Sequence, residues 1–191
     1  MVLAAALMLL QLPHVTAINW SGAVSVWDAA TGAYLPVKCK SLKSRYTCYR
    51  LNIRVSGTAE TFKPKDTTPV LTLIANNGQV FDVPTGTAVG TASGFVIVTY
   101  KEDATGITTR LLTNALNFGA PGLNVVSVGG EAQQYADGSR YSLARSVAGG
   151  TGAFTGAAGV WEYNGTFTSP EGLFGFLNVY VPKPPECCKE P

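Results

Sequence analysis

The chain has 191 residues, 46% hydrophobic and 14% charged, with a formal charge of +2. That is enough apolar material for one globular domain of common size. Lys38, Lys40, Lys43 and Arg45 form the only basic cluster, too thin for a nucleic-acid partner, which needs a broad basic face.

Residues 1–17 carry an apolar run over 2–12, then Pro13 and the small or short Val15-Thr16-Ala17. This pattern predicts a secretory signal peptide cleaved after Ala17 and therefore an extracellular protein. The run is shorter than the roughly 20 residues that cross a bilayer, and no later segment is both long and charge-free enough, so no membrane partner is expected. Residues 18–46 form an N-terminal extension. Within it, Trp27-Asp28 followed by Thr31-Gly32 resembles the end of a WD-repeat blade. A propeller needs several copies at a regular period and this one is single, so it predicts a lone hairpin packed on the main body.

Four cysteines, Cys39, Cys48, Cys187 and Cys188, sit near the two ends of the expected mature chain. An even set in a secreted protein predicts disulfides, with three pairings open. At least one bond tying the C-terminal tail (183–191) to the start of the main domain is expected, because closing so long a loop stabilises most. Zinc is not expected: the spacing is wrong and the single histidine, His14, lies in the signal segment.

Alternating apolar and polar residues, punctuated by turn residues, predict strands near 47–61, 69–83, 90–101, 107–118, 123–134, 139–147, 153–166 and 173–181. Asn76-Asn77-Gly78 is expected to interrupt the second of these as a turn or bulge. The glycine-rich run from Gly149 through Gly159 reads as a tight hairpin corner. Eight hairpin-linked strands without a helical period predict an all-β fold, an eight-stranded antiparallel barrel over 47–182, whose interior can hold a small ligand. Two N-x-S/T triplets occur, Asn19-Trp20-Ser21 beside the cleavage site and Asn164-Gly165-Thr166 at a strand end; Asn164 is the expected glycan site.

Val89-Gly90-Thr91-Ala92-Ser93-Gly94-Phe95, Ser127-Val128-Gly129-Gly130 and Val147-Ala148-Gly149-Gly150-Thr151-Gly152-Ala153-Phe154 resemble, in order and spacing, three strands of the dirigent proteins. The Gly-Gly-Thr-Gly-x-Phe core is also similar to that of the allene oxide cyclase barrels. Either resemblance implies an eight-stranded barrel, commonly a homotrimer, with a largely apolar pocket and no cofactor. The dirigent side implies secretion, glycosylation, disulfides, and stereoselective coupling or cyclisation of phenolic intermediates. The cyclase side implies isomerisation of a fatty-acid epoxide. The chain departs from the dirigent pattern in two places: the first barrel strand, Leu51-Asn52-Ile53-Arg54-Val55-Ser56-Gly57, lacks the His-Asp pair, and Val96-Ile97-Val98 stand where tyrosines are frequent.

Replacement polar residues follow from strand parity. Arg145 shares a face with Leu143 and Val147, and resembles the pocket arginine of dirigent proteins; Glu131 follows Gly129-Gly130, near where that family places an acid. The two are expected as catalytic residues or, equally, as a structural ion pair. Arg110 and Asn114 share parity with Leu112, and Glu162 with Val160 and Phe154; with Phe95 these are expected to contact a small apolar or phenolic ligand. Hydrolase chemistry is not expected, since no mature histidine can activate a serine. The alternative to a dirigent-like activity is a noncatalytic secreted binder or interaction barrel.

Overall fold

A computed structural model describes residues 23–39, 45–63, 71–120, 122–134, 144–165 and 169–183. The expected signal segment, Asn19, Leu143, Cys187, Cys188 and nearly all of the tail lie outside these residues.

Two short strands, β1 (Trp27–Asp28) and β2 (Ala33–Tyr34), pair as the expected hairpin. Eight longer strands follow: β3 (Tyr46–Phe62), β4 (Leu73–Asp82), β5 (Ala88–Lys101), β6 (Thr108–Phe118), β7 (Asn124–Gln134), β8 (Ala144–Gly150), β9 (Ala158–Gly165) and β10 (Leu173–Pro182). Each pairs antiparallel with the next and β10 closes onto β3, giving the barrel order β10-β3-β4-β5-β6-β7-β8-β9.

Three hairpins share one turn chemistry, spelled acidic-x-x-Thr-Gly. Thr31 donates its hydroxyl to Asp28 at 2.8 Å, Thr85 to Asp82 at 2.7 Å, and Thr105 to Glu102. The glycines that follow, Gly32, Gly86 and Gly106, adopt φ of 63, 70 and 72°, and each donates its N–H to the acidic residue's carbonyl. A short acceptor side chain and a left-handed glycine close the turn without help from the rest of the fold. The Thr31 hydroxyl, and then the Ala30 N–H, hold the exposed Asp28 carboxyl below its ordinary range.

One end of the barrel is solid. Leu51, Ile53, Val55, Val80, Leu116, Phe118, Val126, Trp161, Leu177 and Val179 point inward and are buried. The β1–β2 hairpin covers this end: the Tyr34 ring lies edge-on 5.7 Å from Phe118, and its hydroxyl donates to the buried Asp82 carboxylate at 3.1 Å. Asp82 also accepts from the Thr85 N–H at 3.1 Å. Burial first, then the Asp82 charge, push the Tyr34 phenol well above its usual range, so it remains a donor.

The glycine-rich corner is not the tight hairpin expected. β8 stops at Gly150, a 3₁₀ turn spans Gly152–Phe154, and β9 begins only at Ala158. Gly152 sits at φ 58°, where a Cβ would also collide with the Leu123 carbonyl. The turn delivers Phe154 into the solid end, 5.2 Å from Tyr49 and 5.7 Å from Phe118.

Asn76-Asn77-Gly78 does not interrupt β4 either. The strand runs through, paired on both sides, and the irregularity falls at Val80/Phe81. Gly78 faces Gly57 across the pair, and a Cβ on Gly57 would run into the Asn77 carbonyl. Glycines here bring two backbones close instead of ending the strand.

The cysteine expectation is corrected in its pairing. Cys39 bonds Cys48, nine residues on, with Cα atoms 5.6 Å apart. The extension folds back along β3 through the Val37–Cys48 bridge and sets the two cysteines side by side, so neither is left to bond the tail.

Candidate functional site

The other end of the barrel is hollow. A cavity of about 340 Å³ opens there, lined on its apolar side by Ala59, Ile74, Val96, Leu112, Ala132 and Leu173. Thr61, Asn76, Arg110, Asn114, Gln133, Gln134 and Arg145 supply its polar lining. All except Gln133 follow the inward parity of their strands, and Gly129-Gly130 of β7 contribute no side chain between β6 and β8.

Arg145 is the most constrained of these groups. It is 5% exposed and opposite Trp161 in the β8–β9 register. Its Nε donates to the Tyr163 hydroxyl at 2.9 Å, and an Nη donates to Asn114 Oδ1. The guanidinium also lies 4.7 Å from the Tyr163 ring centroid and 5.9 Å from that of Trp161. Hydrogen bonds and ring faces together fix the plane of a group that is charged at any relevant pH. Beside it the buried Trp161 Nε1 has no hydrogen-bond partner among the described residues. Arg110, four residues before Asn114 on the same face of β6, is half-buried and donates from Nε to the Thr108 hydroxyl at 3.3 Å.

The sequence-expected residues therefore separate into two groups. Arg145, Arg110 and Asn114 meet in the cavity. Glu131, Glu162 and Phe95 lie on the outer wall, exposed, and cannot reach it. Glu131 is opposite the exposed Leu111, while its neighbour Ala132 points inward, so an Arg145–Glu131 couple does not form. Glu162 faces outward because the 3₁₀ turn breaks the parity assumed between Phe154 and Val160; Trp161 and Tyr163 take the inward positions. Phe95, 40% exposed, stands between the inward Gly94 and Val96 positions. Asn164 is exposed near the end of β9. Sequence reasoning missed Tyr163 and Trp161, although an aromatic-x-aromatic pair on a strand was a readable signal for an inward face. Among the described residues, no three His, Cys, Asp or Glu side chains converge as metal ligands would.

The chain is thus a closed eight-stranded antiparallel barrel with one packed end and one hollow, arginine-bearing end. No protein-family model matches the chain, and no curated protein matches it by sequence. Solved structures do match in fold. A pterocarpan synthase dirigent protein aligns with a TM-score of 0.50 at 18% identity, over 72% of this chain and 91% of its own. A Diels-Alderase from Streptomyces koyangensis aligns at 0.49 and 13% identity, over 78% and 75%, and a pyocyanin demethylase at 0.46 and 14%, over 70% and 98%. The fold is thus the dirigent-type barrel, as the glycine motifs implied.

Proposed function

We propose that this protein is a secreted, dirigent-like barrel that takes one small apolar or phenolic molecule into its lumen and steers its stereoselective coupling or cyclisation. The observation that carries this reading is the hollow end itself, a cavity with apolar walls and one immobilised guanidinium. Its volume of about 340 Å³ lies at the lower end of the range for small-molecule sites, roughly 300–1,000 Å³. Walls of this kind confine a flexible substrate to one conformation, and Arg145 offers fixed positive charge where negative charge develops on an oxygen. The Cys39–Cys48 bond agrees with an oxidising compartment.

A noncatalytic binder is the second reading, favoured by a specific observation: no carboxylate or imidazole stands among the described cavity-lining residues. Proton transfer would then have no carboxylate or imidazole among them to serve it. One experiment separates the two. The purified protein is incubated with a one-electron oxidant and 4-hydroxycinnamyl alcohols, and the enantiomeric excess of the coupled product is measured. Enantiomeric excess supports the steering role; racemic product with retained ligand supports the binder.

A further inference from the structure

We infer that Asn114 and Asn76 determine what the lumen accepts, by reading an oxygen on the ligand that accepts hydrogen bonds. This deepens the ligand-site reading above and rests on it. Asn76 of β4, Gly94 of β5 and Asn114 of β6 stand in one register row on the inward face. Both asparagines line the cavity, and Gly94 between them has no side chain. The two carboxamides therefore flank a bare stretch of wall, with their backbones two strand spacings, about 10 Å, apart.

The orientation of Asn114 follows from its neighbour. A guanidinium only donates, so the bond from Arg145 Nη fixes Oδ1 toward the arginine and turns Nδ2 away from it. Nδ2 lies over Gly94, where a Cβ would collide with it. Asn114 is 6% exposed, and among the described residues its Nδ2 donates to nothing. The half-buried Asn76 carboxamide likewise makes no hydrogen bond among them. A buried donor without an acceptor is costly, and a ligand that supplies the acceptor recovers that cost. The Arg145 bond to Oδ1 also polarises the amide, which strengthens Nδ2 as a donor. A carbonyl or hydroxyl oxygen seated over Gly94 is within reach of both carboxamides. The next inward row, Ile74, Val96 and Leu112, is apolar and takes the body of the ligand. A ligand with an apolar group at the same place leaves the amides unmet, and the site rejects it for that reason.

The test uses the full chain and three probes on one scaffold, titrated by calorimetry: 4-hydroxycinnamyl alcohol, 4-formylcinnamyl alcohol and 4-vinylcinnamyl alcohol. The formyl and vinyl groups are close in shape, and only the vinyl lacks an acceptor oxygen. At least one oxygen-bearing probe is expected to bind about 10-fold tighter than the vinyl probe, and which one does so tells a hydroxyl from a carbonyl. Asn76→Leu, similar in size and without an amide, is expected to cut that preference to about 3-fold or less. Asn114→Asp keeps an acceptor for Arg145 but loses the N–H, and is expected to abolish any preference for formyl over vinyl. Vinyl binding as tight as that of both oxygen-bearing probes overturns the inference and leaves the ligand site standing. So does a preference that survives in both variants. Binding of none of the three overturns both readings.

Discussion

A guanidinium sunk inside a barrel persists only if its donors are met, and the partners of Arg145 show how this chain meets them. Asn114 reaches it from β6 across the bare Gly129-Gly130 stretch, and Tyr163 reaches it from β9. Asn114→Leu keeps the volume but removes an acceptor from a charged donor, and is expected to lower unfolding free energy by about 1.5–3 kcal/mol in urea titrations. An unchanged value would mean that Asn114 only fills space. Tyr34 gives a second test at the solid end. Its phenol, and that of Tyr49, are held above their usual range mainly by burial. Both keep their protons in the fold at a pH where the unfolded chain loses them, so stability is full below roughly pH 10 and falls as pH rises beyond it. Urea unfolding at pH 8 and pH 11 should show this loss, and Tyr34→Phe should reduce it. Parity was sufficient to read Arg145, Arg110 and Asn114 from the sequence, because each lies on an unbroken inward run. It misplaced Glu162, because the run was extended through Gly152–Phe154, where the chain is not a strand. Glu131 and Phe95 were drawn in by neighbouring glycine motifs, although their own parity points outward.

The strands and their order were legible because turn chemistry punctuates them: acidic-x-x-Thr-Gly closes three hairpins from local hydrogen bonds alone. The exceptions are glycines whose role depends on a distant neighbour. Gly78 reads locally as a turn, yet it serves the approach of β4 to Gly57, and Gly152 reads as a hairpin tip, yet it serves the approach to Leu123. Nothing within a few residues reveals such contacts. The same holds for the disulfide. Loop length favoured a long crossing bond, whereas the fold-back of the extension onto β3 closes a short loop of sequence separation nine. The chain-entropy model gives about 2.5–3 kcal/mol for a loop of that length, against roughly 4.7 for one near 100 residues. Replacing both Cys39 and Cys48 by Ala should therefore cost about 2.5–3 kcal/mol in urea unfolding. A loss nearer the larger figure would point to a crossing bond instead.

Taken together, the barrel is asymmetric along its axis. The β1–β2 hairpin, Phe154 and the aliphatic layers fill one end, and this rigid floor leaves the arginine-bearing end open to hold something. Fold likeness to a dirigent protein gives the barrel itself a precedent. A ligand is expected at the hollow end. Ala59 faces the cavity from β3, and a tryptophan there would occupy the space at a packing cost of about 1–3 kcal/mol. The deciding measurement is a calorimetric titration of the native protein and of folded Ala59→Trp with 4-hydroxycinnamyl alcohol. One molecule bound per chain by the native protein, with binding lost in Ala59→Trp, is the expected result. Equal binding by both proteins would contradict it and place the ligand outside the barrel.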